Sequence, residues 1–260
     1  MTTTSDRAQT VTVPSPAPVR QLTGRGVLAV WAAAALPMAA LAWVVVPWLA
    51  GSWAGPAPFA RALLVCLTAG LVWQFVLVLG MLWREQGRLG WGTLRAALWL
   101  RCPQSPRTGR VGGRVWWVVL PLAAAFAVKQ LVPSLPHPAW LDFSGLLRSP
   151  AGQHLLHGNW PLFALILMMF LFNTVLGEEL LFRGFLLPRM NGAFGRWDWL
   201  VNGLLFAAYH IHVWWAIPVA LLDTLIIAHP TKRYGSAWIG ITVHSAQSVF
   251  FTVLLLGVVL

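Results

Sequence analysis

Two adjacent glutamates, Glu178 and Glu179, close the apolar run FALILMMFLFNTVLG in a chain that has only three glutamates in all. A carboxylate inside a hydrocarbon core costs about 2.5–3.5 kcal/mol on insertion scales, and such residues usually mark a pathway or a site. At 100° per residue Glu179 and Arg183 lie one turn apart on one helix face and can pair, whereas Glu178 points away from every cation of its own helix. One carboxylate is thus expected to be held in an ion pair and the other to be free for general-base work. Two histidines fall in similar surroundings. His210 sits in LLFAAYHIHVWW with Phe206 one turn before it; His244 sits in WIGITVHSAQSVFF with Gln247 and Ser248 about one turn after it. Counted from the inner ends of their runs at 1.5 Å per residue, Glu178, His210 and His244 lie about 16, 16 and 12 Å deep, so three helices are expected to bring them to one level, opening toward the cytoplasmic side. His212 is expected to face nearly opposite His210, His229 beside Pro230 gains no such support, and Asp223 is intramembrane with no visible partner.

A glutamate can deprotonate a water that attacks a carbonyl, while histidines orient that water and stabilise the oxyanion or protonate the leaving amine. The same three side chains could instead hold a metal as His, His and carboxylate. No serine sits in a nucleophile elbow and no H-E-x-x-H is present, which argues against the simplest serine hydrolase and zincin readings. A non-catalytic membrane protein that sequesters a peptide, such as an immunity factor, is the alternative from another class. A proton-coupled transporter is disfavoured because no repeated halves with broken helices are evident.

The elements that must position these groups are membrane spans. The chain of 260 residues is 58% hydrophobic and 10% charged, against about 25% charged residues in soluble globular chains, and its mean hydropathy is +0.70. This excludes a water-soluble enzyme, a disordered protein and a disulfide scaffold. Apolar runs near 27–49, 62–83, 115–132, 161–182, 199–212, 214–229 and 237–258 approach the roughly 20 residues that cross a bilayer; the fifth and sixth are short, as tilted or partly re-entrant segments would be. The net charge of 18 − 7 = +11 is topology rather than a nucleic-acid surface, for no soluble domain is available to carry one. Seven arginines between 84 and 114, against the single acid Glu85, place that loop in the cytoplasm by the positive-inside rule. A multi-pass cell-membrane protein with a cytoplasmic N-terminus follows. Within 84–101, Leu89, Trp91, Leu94, Leu98 and Trp99 alternate with arginines as in a short helix lying on the inner membrane surface. Fourteen of the seventeen tryptophans fall at or near span ends, an aromatic belt. Residues 1–25 are polar and Pro-rich, the composition of a flexible cytoplasmic tail, leaving 26–260 as the transmembrane domain. Cys66 and Cys102 form neither a metal motif nor a disulfide framework.

The motifs together resemble a known family. Glu178-Glu179-Leu180-Leu181-Phe182-Arg183 reads as E-E-x-x-x-R, Phe206 to His210 as F-x-x-x-H, and His244 opens an H-x-x-x-[Asn or Asp] motif, in that order on successive helices. Gly184-Phe185, the Phe194-Gly195-Arg196-Trp197 turn and the Tyr234 to Trp238 helix entry agree. The sequence is similar, over about 160–255, to the CPBP intramembrane proteases, the family of the Rce1-type CAAX prenyl endopeptidase and of bacterial bacteriocin-processing or immunity proteins. The resemblance implies an all-α polytopic transmembrane bundle of about 7–8 helices that hydrolyses peptide bonds within or at the bilayer. It implies catalysis by Glu178, His210 and His244, with Ser248 standing where the family has Asn or Asp. Glu179, Arg183, Phe206 and Gln247 are the expected supporting residues. The glutamate mechanism proposed for the family needs no cofactor, while zinc or another divalent metal remains the open alternative. The implied partners are the lipid bilayer and a membrane-associated peptide or protein substrate, with no nucleic acid. Ser248 departs from the pattern: a hydroxyl donates one hydrogen bond but is shorter than an amide and would need a bridging water or help from Gln247.

Overall fold

A computed structural model describes residues 19–133 and 135–260, and among them ten helices and no strand are found. The expected tail lies largely outside the described residues. Its last part is folded, however: Leu22 N–H donates to the Arg189 carbonyl at 2.9 Å, the Gln21 amide donates to the Pro188 carbonyl at 3.0 Å, and Thr23 caps the first helix. The boundary expected at residue 25 therefore falls inside the packed structure.

Among the described residues five helical stretches are long and apolar enough to cross a membrane: α1 (Gly24–Ser52), α2 (Pro58–Gln86), α7 (Trp160–Arg189), α8 (Asn191–Ala220) and α10 (Ala237–Val259). Side chains such as Trp48, Val76, Leu225, Val249 and Phe250 stay exposed on the outer faces. With no strand and five such spans, the chain is an all-α, multi-pass membrane bundle. The remaining helices are shorter. The third apolar run, 115–132, becomes a 3-10 stretch Gly113–Val118 followed by α4 (Val119–Lys129) of 11 residues, about half a bilayer in length at 1.5 Å per residue. Helices α5 (Phe143–Arg148) and α6 (Pro150–Leu156) follow. Within 84–101, where a helix on the inner membrane surface is expected, α3 (Trp91–Ala97) forms; its Trp91 is exposed, while Leu98 just after it is buried in the main core. The fifth and sixth runs part at Val213, whose φ −137°, ψ 56° is not helical; the chain turns at Leu221–Asp223 and continues as α9 (224–234).

Two long helices are locally widened. In α1, Pro37 removes a backbone donor and the next turn, Leu41–Val45, is π-helical, a usual way for a helix to absorb such a defect. In α7, π-helical turns span Phe172–Leu176 and Leu180–Leu186, separated by Gly177 at φ −93°, ψ −89°. A side chain at Gly177 would place its Cβ 3.0 Å from the Leu71 carbonyl of α2, so the absence of one lets the two backbones meet. Glu178 and Glu179 lie between the two widened turns. Such π segments occur often at functional sites. Every residue from 177 to 190 is buried, and Leu181, Phe182, Phe185 and Met190 centre the main core with Met38, Leu82, Leu98, Phe206 and Tyr209.

Candidate active site

Glu179 anchors the site. Its Oε1 accepts from His244 Nδ1 at 3.0 Å and lies 3.5 Å from Arg183 Nη1, so the expected one-turn pair forms and also takes in a histidine from α10. Arg183 is fully buried, its guanidinium carbon 3.9 Å above the centre of the Phe206 ring; the ring's negative face supports a cation there, which gives Phe206 a physical role. Gly240, one turn before His244, leaves room for Glu179: a Cβ there would approach Oε2 to 2.5 Å.

Glu178 is buried in different company. With its amide turned to donate, Asn173 reaches both Glu178 oxygens, at 3.0 and 3.2 Å. The Tyr209 hydroxyl faces Glu178 from α8 and accepts from the Gln74 amide at 2.7 Å, which leaves the tyrosine proton free to point at the carboxylate. Among the described residues Glu178 forms no ion pair, whereas Glu179 has two cationic or protonatable neighbours within 4 Å. The two adjacent carboxylates are thus divided as their helix positions suggested.

His210 ends the regular part of α8. Its Nδ1 bonds the Phe206 carbonyl at 2.9 Å; a carbonyl only accepts, so Nδ1 carries the proton and Nε2 is left with a lone pair. The same logic at His244, whose Nδ1 faces a carboxylate, frees its Nε2. His210 and the Arg183 guanidinium both pack on the Phe206 ring, 4.9 and 3.9 Å from its centre. His212, expected on the opposite side, is instead buried and stacked on His210 with ring centres 5.7 Å apart. The reason is local: the chain leaves α-helical geometry at His210 for a 3-10 stretch, so positions two residues apart no longer follow the 100° wheel.

Asp223 has a partner after all. Lys129, at the end of α4, forms a buried ion pair with it. The Lys129 ammonium lies 3.8 Å from the centre of the Phe126 ring, which packs 5.3 Å from the His244 imidazole.

Ser248 and Gln247 do not join this cluster by any hydrogen bond among the described residues; they line a cavity of about 670 Å³ together with Asn173. The cavity's other walls include Arg148, Gln153 and the outer half of α10, the end of the fold opposite the arginine-rich loop. The expected opening on the loop's side is not what the packing gives. Between Glu178 and that loop α7 is wholly buried, and Arg189 is locked there by Glu85 Oε2 at 2.7 Å and by the carbonyls of Ala97 and Phe185.

Asn173, Gln74, Tyr209 and Lys129 were not singled out by sequence reasoning. Tyr209 sits inside the F-x-x-x-H motif and Asn173 is the one amide in its apolar run, signals that were available; Gln74 and Lys129 are polar residues of two other apolar runs. Among the described residues no three of His, Cys, Asp and Glu are grouped to hold a metal ion.

The bundle is that of a multi-pass membrane protein, and a buried polar cluster lies where its helices α7, α8 and α10 meet. Residues 159–250 match the family model described as Type II CAAX prenyl endopeptidase Rce1-like, so the resemblance carried by the three motifs holds over the segment that bears them, and it is a resemblance to proteases. Searches of curated proteins and of solved structures gave no match.

Proposed function

We propose that this chain is an intramembrane endopeptidase that cleaves membrane-associated peptides or proteins with a water activated by Glu178. The observation that carries it is the division of labour between neighbouring carboxylates: Glu179 is committed to Arg183 and His244, while Glu178 meets only neutral donors. Glu178 takes a proton from water, and the hydroxide adds to the scissile carbonyl. Glu179 behind His244 is the arrangement in which a carboxylate orients an imidazole and stabilises the imidazolium: the free His244 Nε2 accepts the proton that Glu178 took from water and delivers it to the leaving amine as the C–N bond breaks. The proton taken by Glu178 completes the departing amine, and carboxylate and imidazole are regenerated. His210, its Nδ1 fixed by the Phe206 carbonyl, is the second group that orients the water.

Glu178→Gln in the purified protein is the test: cleavage of a reporter peptide is lost while the helical spectrum and melting are kept. Full activity in that variant overturns the proposal. One observation favours a second reading, a non-catalytic peptide-sequestering protein. Ser248 replaces the family's amide and makes no bond to the glutamate and histidine cluster. Protection against a toxic peptide that survives joint loss of Glu178, His210 and His244 would establish it.

A further inference from the structure

We propose that substrate reaches Glu178 from the end of the bundle carrying α5 and α6, as an extended apolar peptide segment lying in the cavity beside α10. This rests on the endopeptidase reading and names its substrate path. The cavity, about 670 Å³, is of the size of ordinary ligand pockets. Its inner wall is Asn173, whose amide bonds Glu178, so an occupant of the cavity ends at the proposed base. Its lining alternates two chemistries. Phe251 and its apolar neighbours on α7 and α10 present hydrocarbon, while Gln153, Gln247, Asn173 and Ser248 present groups that both donate and accept. That pairing suits a peptide with apolar side chains, whose backbone N–H and C=O must be satisfied once out of water. An acyl chain would use the walls and leave the amides idle.

The other end of the site is shut. Past Glu178 toward the arginine-rich loop, α7 is buried without a break to Met190. The segment after α3 is tied across the start of α10: Ala237 N–H donates to the Trp99 carbonyl at 2.9 Å, Gln104 N–H to the Tyr234 carbonyl at 2.9 Å, and Arg101 Nε to the Gly235 carbonyl at 2.7 Å. The Leu98 carbonyl comes within 3.3 Å of where a Cβ on Gly184 would lie. With the arginine-rich loop in the cytoplasm, as the positive-inside rule places it, the mouth at Arg148 and Gln153 faces the opposite side of the membrane, and cleavage acts on segments presented from there.

The experiment uses the full chain in sealed membrane vesicles, with Cys66 and Cys102 replaced by alanine and one cysteine introduced at a time. Ser248→Cys is treated with a membrane-impermeant maleimide in vesicles of both orientations, with Gln153→Cys and Arg107→Cys marking the two faces. Ser248→Cys is expected to label in the orientation that labels Gln153→Cys, and to lose that labelling when a pool of apolar octapeptides is present. Labelling in the orientation that labels Arg107→Cys overturns the entry side. Protection by a lysophospholipid with none by the peptides overturns the occupant and assigns the cavity to lipid. Repeating the protection in a Glu178→Gln background separates the two proposals: peptide protection there, together with undiminished cleavage by Glu178→Gln, refutes the catalytic reading and leaves the path standing. Absence of protection beside loss of cleavage refutes the path alone.

Discussion

Replacing Lys129 by methionine should destabilise the fold severely, and replacing Asp223 by leucine at the same time should restore it. Both side chains are buried, 7% and 3% exposed, and each is the other's ionic partner. Removing one member of a buried pair leaves a charge without compensation and costs about 3–5 kcal/mol; Lys129→Met also forfeits the cation above Phe126, about 0.5–2 kcal/mol. At about 2–4 °C per kcal/mol for a chain of this size, the combined loss of about 3.5–7 kcal/mol should lower the melting temperature of the single variant by about 7–28 °C. The reverse single change, Asp223→Leu, should cost less. A lysine stem can swing its ammonium toward the polar cavity wall at neighbouring Gln130, whereas the Asp223 carboxylate is short and has no such exit. The double variant removes both charges and fills the space with hydrocarbon, a replacement that is often neutral or stabilising by about 1–4 kcal/mol. Thermal unfolding in detergent, followed by circular dichroism, measures all three against the parent. A Lys129→Met variant as stable as the parent, or a double variant as unstable as either single, would refute the reasoning. Cleavage by the double variant then tells whether the pair serves more than the fold, because Phe126 would remain against His244 without the ammonium behind it.

Two further outcomes test the site. Gly240→Ala puts a methyl 2.5 Å from Glu179 Oε2 and 3.0 Å from Ile227 Cγ2, so Glu179 must move and take His244 with it; kcat should fall by about 10²-fold, the usual effect of an ångström of misplacement, with KM little changed, and an unaltered kcat would detach Glu179 from His244's task. Ser248→Asn restores the longer amide at the family's position and should raise kcat, with a ceiling of about 10²–10³, the worth of one oxyanion donor; steady-state kinetics showing no gain would place Ser248 in the substrate path alone.

The spans were legible because hydrocarbon length is a hard constraint: each of the seven apolar runs is largely helical, and the gap left between the fifth and sixth coincides with the non-helical Val213. What the runs could not convey is where a helix stops being regular. A wheel at 100° per residue places Arg183 correctly relative to Glu179, since a one-turn separation survives a modest widening, but it misplaces His212 because the 3-10 stretch begins at His210. Nor does hydropathy show how much of a run is regular α-helix. Lys129 closes α4 after 11 residues and turns inward to Asp223, a contact 94 positions distant in the chain that no local pattern encodes.

The site shows the same limit from the chemical side. Motif spacing picks out residues whose identity is constrained, and so it found both glutamates, Arg183, Phe206 and the two histidines. It is silent on the neutral donors Asn173, Tyr209 and Gln74, which are ordinary residues individually and become specific only by enclosing Glu178. Those donors account for how an acid can be kept in this core without a cation. A carboxylate buried among hydrocarbon alone would face the full desolvation cost; one paired as tightly as Glu179 would be an unreactive structural ion. Asn173 and Tyr209 supply hydrogen bonds that offset part of that cost and leave the charge unneutralised, and Asn173 also forms the inner wall of the cavity. The residue that stabilises the base is thus the residue a substrate would displace or touch first, which couples occupancy of the cavity to the state of Glu178 within a single side-chain contact.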